Sequence, residues 1–184
     1  MSAISHVIAG VSGSPRSLPA LRYAAALARG HDAALIPLHA WVPPGGEIAD
    51  RQCASWYLRQ VWEHDAWERL WDAANMAFGG VPLDVPMEPL VIRGEAGRVL
   101  VHAASRAGDL LVIGTGRRGS AGRLMGGKVS RYCLAHARCP VVAIPPSPLE
   151  LAAGHGLRGW MFRHRGLTPH ELTAAASGNS AGPR

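Results

Sequence analysis

One short stretch of the chain, residues 114–130, concentrates the residue types that bind phosphate. It begins Gly-Thr-Gly, ends Gly-Gly-Lys-Val-Ser and contains three arginines in between. Glycine allows backbone N–H groups to approach an anion closely, and a helix predicted to begin at Lys128 adds N–H donors and the positive end of its dipole. Lys128 also supplies a point charge, and Ser130 supplies a hydroxyl group. The stretch therefore predicts a phosphate-binding loop, and a glycine-rich turn that binds nothing is the alternative.

A second polar turn, Ser12-Gly13-Ser14, follows the first apolar run of the chain, residues 6–11. In an open α/β sheet, ligands bind beyond the carboxyl ends of the strands, at the point where the order of the strands reverses. The two loops follow the first and the fourth predicted strands. We therefore expect them to face each other across the mouth of the sheet.

Strand-like and helix-like segments alternate along the chain. Each strand segment is apolar at nearly every position, which is typical of a parallel sheet covered by helices on both faces. The fold class is therefore α/β, doubly wound, with a five-stranded and mainly parallel sheet. Strands are predicted at 6–11, 33–40, 90–92, 109–114 and 140–145, and helices at 17–30, 95–107 and 128–136, with the longest helix ending at Gly79.

We make three further predictions about the ends and faces of these helices and strands. Ser17 is expected to cap the first helix. Trp56, Trp67 and Trp71 fall on one face of the longest helix at 100° per residue and are expected to pack on the sheet. The last strand, 140–145, is bounded by prolines, which predicts that it lies at an edge of the sheet.

The chain divides into one domain and a tail. Residues 1–146 contain all the predicted strands and form one α/β domain. Residues 147–184 depart from the alternating pattern and are rich in glycine, so we expect a flexible C-terminal tail. Within it, Thr168-Pro169-His170-Glu171 has the spacing of a capping box, which predicts one short helix near residues 168–176.

The charge of the chain is positive and unevenly distributed. The 184 residues carry 19 basic and 13 acidic side chains, a net charge of +6. The stretch from residue 98 to residue 146 contains eight of the basic residues and one acidic residue. Such a stretch suits phosphate or nucleic acid. Because Tyr132 is the one aromatic residue there, the stacking platform of a nucleic-acid site is missing and that class is disfavoured.

Location and metal binding follow from simple counts. No apolar run approaches the length of about 20 residues that a membrane span needs, and the first residues lack the pattern of a signal peptide. With three cysteines, an odd number, these features predict a cytoplasmic protein without a membrane partner. Cys133, His136 and Cys139 have a spacing that could bind zinc, but no fourth ligand is evident, so buried thiols are favoured.

Familiar nucleotide motifs are incomplete in this chain. Gly114-Thr115-Gly116 follows the fourth strand, whereas the dinucleotide-binding motif opens the first βα unit. Val129 stands where a P-loop has Ser or Thr. The loops offer no evident carboxylate base or magnesium ligand. The sequence therefore predicts a binding protein and not an enzyme, with a weak ATPase activity left open.

Three features in this order resemble the universal stress protein family over about residues 5–146. They are the turn Gly13-Ser14-Pro15, the basic glycine loop after Val112-Ile113-Gly114, and the closing segment Cys139-Pro140-Val141-Val142-Ala143-Ile144-Pro145. The resemblance implies a Rossmann-like domain that is commonly dimeric through its last strand. In members that bind ATP, it also implies the motif G-x2-G-x9-G-(S/T) after strand four and an Asp at the end of strand one.

The match of this chain to that motif is partial. Gly114 and Gly127 take the places of the first and last glycines at the correct spacing. Arg117 stands at the second glycine, Lys128 at the hydroxyl residue and Ser12 at the Asp. A lost hydrogen bond to a charged partner costs about 1–3 kcal/mol, so the change at Ser12 predicts nucleotide binding at least about tenfold weaker.

The resemblance and the loop together imply a stress-response regulatory protein that binds ATP or AMP at the mouth of the sheet, with no metal required. They also imply a homodimer formed through strand 140–145. The alternative is a dimeric scaffold of the same family that no longer binds nucleotide. The predicted nucleotide-binding residues are Gly10, Val11, Ser12, Ala40, Gly114, Gly116, Arg117, Gly127, Lys128, Val129 and Ser130.

Overall fold

The computed structural model describes residues 3–14, 17–52, 55–79, 84–115 and 127–145. The elements in chain order are β1 (His6–Val11), α1 (Leu18–His31), β2 (Ala34–Trp41), α2 (Gly46–Gln52), α3 (Trp56–Phe78), β3 (Leu90–Arg93), α4 (Ala96–Ala103), β4 (Asp109–Gly114), α5 (Lys128–His136) and β5 (Val141–Ile144). The loop 116–126, the tail 147–184 and the helix predicted near 168–176 lie outside the described residues. Among the helices described, none has the length and apolar character needed to cross a membrane.

The five strands form one sheet in the order β3-β2-β1-β4-β5, and every neighbouring pair is parallel. The α/β prediction is confirmed, and β5 lies at an edge as expected. The order reverses at β1, because the chain runs outward from β1 to β3 and then places β4 on the other side of β1. The carboxyl ends of β1 and β4 are therefore neighbours, which is where a ligand site is expected.

The central strand β1 contributes to both faces of the core. Its side chains alternate between the two faces of the sheet. Val7 and Ala9 pack in the cluster that includes the buried faces of α1 and α3. Ile8 packs on the other side with Leu100 of α4 and Cys133 of α5. Because helices cover both faces, the strand segments contain few polar residues.

The tryptophans of α3 do not form the predicted core stripe. Trp56 is 71% exposed and Trp71 is 38% exposed, whereas Trp67 is partly buried against the core. The buried face of α3 consists instead of Leu70 and three alanines. Small side chains allow a helix to lie close to its neighbours, and the large indoles are left at the rim of that contact. The prediction was therefore wrong for Trp56 and Trp71.

The short helix α2 was not expected from the sequence pattern, because it is held by ion pairs and not by an apolar face. Its buried side chain is the carboxylate of Asp50, which is 1% exposed. Arg59 of α3 donates from Nε to Oδ1 and Oδ2 of Asp50, at 3.1 and 3.0 Å. Arg93 of β3 donates from Nη2 to Asp50 Oδ2 at 2.7 Å and from Nε to Glu47 Oε1 at 3.1 Å. Ion pairs between residues that are distant in the chain leave no periodic pattern in the amino-acid sequence.

Protonation of Asp50 is expected to destabilise the fold. Hydrogen bonds from Arg59 and then Arg93 hold the pKa of Asp50 below its ordinary value. A carboxylate with a lowered folded-state pKa stabilises the protein above its unfolded pKa of about 3.9, and loses that contribution as the pH falls through the folded pKa. We expect the melting temperature of the native protein to fall more steeply below about pH 4 than that of Asp50→Asn.

The measurement is circular dichroism melting over a pH series. Asp72→Asn, which changes an exposed carboxylate on α3, is the matched control and should keep the native steepness. An Asp50→Asn curve that falls in parallel with the native curve would contradict the role given to this carboxylate.

Candidate functional site

A cleft of about 400 Å³ opens at the carboxyl end of the sheet, between the turn after β1 and the start of α5. Of the predicted binding residues, Gly116 and Arg117 lie outside the described residues. The other nine line the cleft: Gly10, Val11, Ser12, Ala40, Gly114, Gly127, Lys128, Val129 and Ser130. Ser14 also lines it, as do five residues that the sequence did not single out for the site: Ser17, His39, Ala96, Leu100 and Ile113.

The floor of the cleft is narrow at Gly10. A Cβ atom added there would lie 3.2 Å from Leu100 Cδ1 and 3.4 Å from Ile113 Cγ2. A side chain at this position would therefore press on α4 and on β4. Glycine lets the backbone of β1 form part of the floor while both apolar side chains keep their places.

Two hydrogen bonds fix the start of α5 to the end of β4, and a third joins that end to β5. The Ser130 hydroxyl donates to the Gly114 carbonyl at 2.8 Å, and the Gly127 N–H donates to the Thr115 carbonyl at 2.9 Å. The Thr115 N–H donates in turn to the Ile144 carbonyl of β5 at 2.9 Å. The first turn of α5 thus has a defined position at the end of β4.

These bonds correct two expectations about phosphate donors. The Gly127 amide and the Ser130 hydroxyl were both expected to face the ligand, but each already donates its proton to a backbone carbonyl. Ser130 is also only 2% exposed. The N–H groups of the first helical turn, from Lys128 to Ser130, have no acceptor within the helix. They are the donors that α5 can offer to an anion.

The turn after β1 presents hydroxyl groups to the other side of the cleft. Ser12 Oγ and Ser14 Oγ lie 2.8 Å apart, and Gly13 between them has a φ of +65°, which glycine tolerates best. The Ser17 hydroxyl donates to the Ser14 carbonyl at 2.8 Å and makes no capping bond to α1. Ser17 is the N-cap residue of α1 by position, as expected, but its hydroxyl closes the turn instead of forming a side-chain capping bond.

His39 is a buried polar residue of the cleft that the sequence did not indicate. It is 5% exposed, and its Nδ1 lies 2.8 Å from the Val11 carbonyl oxygen. A carbonyl only accepts, so Nδ1 carries the proton and donates, which leaves Nε2 of the neutral ring as an acceptor. Burial lowers the pKa of His39, although the bond to Val11 opposes this effect. The available signal was a lone histidine in an apolar strand that ends at the sheet mouth.

The electrostatic character of the cleft favours anions. Lys128 contributes a positive charge at the first turn of α5. No acidic side chain occurs among the described residues that line the cleft. The arrangement can bind a negative group through amides and an ammonium group, and the described lining provides no carboxylate that could act as a base.

Serine, histidine and aspartate side chains do meet at the other end of the sheet, but not in the geometry of a nucleophilic triad. His6 Nδ1 lies 3.1 Å from Asp109 Oδ1 and 3.2 Å from Ser5 Oγ. In a triad, the serine and the carboxylate contact opposite nitrogens of the ring. Here both contact the same nitrogen, so the group links β1 to β4 at the amino-terminal edge.

The cysteine and histidine spacing near α5 does not assemble a metal site. Within the described ranges, no group of three or more His, Cys, Asp or Glu residues is placed to hold a metal ion. Cys133 is buried, and this burial raises its pKa to about 11, so it is a neutral thiol at physiological pH. His136 Nδ1 lies 2.9 Å from the carbonyl oxygen of Tyr132.

Comparison with known proteins identifies the family. A model described as the universal stress protein family matches residues 3–145. The chain belongs to the universal stress protein family. A universal stress protein encoded in the QAH/OAS sulfhydrylase 3′ region of Thermus aquaticus is 29% identical over 145 residues, which cover 75% of this chain and 96% of that protein.

Solved structures agree with the family and with the fold. A universal stress protein crystallised in complex with cAMP is 26% identical, with a TM-score of 0.51, over 79% of this chain and 100% of that one. The universal stress protein UspA from Lactobacillus plantarum is 18% identical, with a TM-score of 0.56, over 78% of this chain and 99% of its own. At that identity, the second likeness concerns the fold alone.

Protonation of His39 is expected to destabilise the folded state. The pKa of His39 in the folded state lies below its unfolded value of about 6.5. At pH values between these two pKa values, the unfolded chain binds a proton that the folded chain does not. The free energy of unfolding should therefore fall as the pH drops below about 6.5. In His39→Gln, whose amide can still donate to Val11, this part of the pH dependence should be absent.

Urea unfolding at pH values from neutral to mildly acidic measures this difference. His31→Gln, at the exposed end of α1, is the control and should retain the native pH dependence. Identical pH dependence in the native protein and in His39→Gln would show that the buried ring does not resist protonation.

Proposed function

We propose that this universal stress protein is a cytoplasmic regulator that binds an adenine nucleotide, ATP or AMP, in the cleft between β1 and α5. One observation carries the proposal: Lys128 and the other first-turn residues of α5 line one cleft together with residues at the ends of β1 and β2. The related universal stress protein in complex with cAMP supports it. The cleft of about 400 Å³ lies within the range of small-molecule sites, about 300–1,000 Å³.

The two sides of the cleft suit the two ends of a nucleotide. A phosphate group would accept hydrogen bonds from the first-turn amides of α5, and the positive charge of Lys128 would attract it. A nucleoside would lie toward Gly10 and Ala40, where backbone groups and the apolar Leu100 and Ile113 side chains line the cleft. This division follows the usual pattern of a largely apolar pocket with a few oriented polar groups.

The proposed role is binding as a signal, without a chemical step. The described lining contains no carboxylate to activate water or to hold magnesium beside a triphosphate. We therefore expect no phosphate release above background when the protein is incubated with ATP. Sustained phosphate release by the native protein, lost in a Gly127→Asp variant, would instead assign an ATPase activity to the cleft.

Gly127→Asp is expected to abolish nucleotide binding while it preserves α5. Gly127 is the N-cap residue, with φ −54°, a value that any residue adopts. Aspartate is a favoured N-cap, so the helix should be retained, but its carboxylate would repel a phosphate at the first turn. ATP or AMP at 100-fold over Kd should stabilise the native protein by about 2.7 kcal/mol and so raise its melting temperature, but should not raise that of the variant.

Gly127→Ala is the control, since it adds neither a charge nor a side-chain oxygen that could accept from the first-turn amides. It should keep most of the nucleotide-dependent shift. If millimolar ATP and AMP leave the melting temperature of the native protein unchanged, the proposed function is wrong.

The edge strand β5 supports dimerisation, and a dimeric scaffold that binds no nucleotide is the second candidate role. Val141, Val142 and Ile144 are only partly buried, and among the described strands β5 pairs with β4 on one side only. An uncovered apolar edge invites pairing with another strand. Mass spectrometry of ligand released from the purified native protein separates the two roles, because bound nucleotide excludes the scaffold without nucleotide.

Val142→Arg is expected to convert the dimer into a monomer, since it places a charge at the proposed interface. Sedimentation velocity at micromolar concentration is the measurement. Leu90→Arg, on the opposite edge strand β3, is the matched control and should remain dimeric. A native protein that sediments as a monomer at this concentration would rule out the dimer.

A further inference from the structure

A second cavity of about 370 Å³ adjoins the cleft at the first turn of α5. Lys128 and Val129 line both cavities. The second cavity is otherwise lined by residues at the start of α4, which are Glu95, Gly97 and Arg98, and by Tyr132 of α5. Together, the two cavities place Lys128 at the junction of one longer site.

The wall of the second cavity is held in place by close packing between α4 and α5. A Cβ atom on Gly97 would lie 2.9 Å from the Tyr132 ring, so glycine is what allows the ring to lie against α4. The ring is also stacked on His136, with centroids 4.2 Å apart and planes 13° apart. Tyr132 is therefore a positioned aromatic surface and not a freely rotating side chain.

The charged groups of the second cavity suit a diphosphate followed by a sugar. Arg98 and Lys128 are exposed cations at the starts of two neighbouring helices, where a second phosphate would be stabilised. The exposed carboxylate of Glu95 can accept hydrogen bonds from sugar hydroxyls. The part of the Tyr132 ring that lines the cavity offers an apolar surface against which the second sugar can pack.

We propose that the two cavities form a bipartite site whose preferred ligand is an adenine nucleotide extended through its diphosphate by a second sugar or nucleoside. The inference rests on the proposed function and specifies its ligand class. AMP fills the first cavity only, whereas an extended nucleotide reaches Arg98 and Glu95 through the junction at Lys128.

Isothermal titration calorimetry of the full chain with AMP, ADP and ADP-ribose tests the inference. We expect ADP-ribose to bind about tenfold tighter than ADP, since one or two further hydrogen bonds with a charged partner are worth that much. Arg98→Ala should weaken ADP-ribose binding about tenfold and leave AMP within about twofold. Arg131→Ala, an exposed arginine of α5 outside both cavities, is the matched control and should change neither.

The outcomes separate this inference from the proposed function. If AMP binds but ADP-ribose binds no tighter than ADP, the second cavity takes no part and the proposed function stands. The same conclusion follows if Arg98→Ala weakens AMP and ADP-ribose equally. If none of the three ligands binds, this inference falls, and the proposed function falls with it unless ATP raises the melting temperature.

Discussion

The attachment of α5 to the end of β4 determines what the cleft can bind. The Ser130 hydroxyl donates to the Gly114 carbonyl of β4, and the Gly127 amide donates to the carbonyl of Thr115, the next residue. The Thr115 amide donates in turn to β5. A helix start held in this way directs its remaining first-turn amides at a defined place. An anion bound there meets donors that need no rearrangement, which is the condition for affinity in an amide-lined site.

The reversal of strand order at β1 brings the two halves of the site together. The chain winds outward from β1 to β3 on one side and continues with β4 and β5 on the other. The turn after β1 and the start of α5 are separated by about half of the chain but line the same space. The starts of α4 and α5 lie on the same side of this space, so Lys128 contributes to both cavities. Topology, more than any one motif, places two adjoining cavities at this end of the sheet.

Buried polar residues join elements that hydrophobic packing alone would leave loose. His39 ties the end of β2 to the last carbonyl of β1 and is kept neutral by its burial. Asp50 joins α2, α3 and β3 through two arginines that flank its carboxylate. Each of these groups costs free energy to bury unless its hydrogen bonds are made, so their partners define the positions of the elements. Both lie in segments that border the carboxyl end of the sheet.

The amino-acid sequence by itself determined the α/β class, the strand segments, the edge position of β5 and the turn after β1 that borders the cleft, because these follow from local hydrophobic patterning and turn residues. It did not reveal α2, the exposure of Trp56 and Trp71, the role of His39 or the commitment of Ser130 to Gly114. Those depend on contacts between residues far apart in the chain, and on which side of a helix its neighbours approach. Only the tertiary structure decides such contacts, since a helical period defines a face but not the depth to which that face is buried.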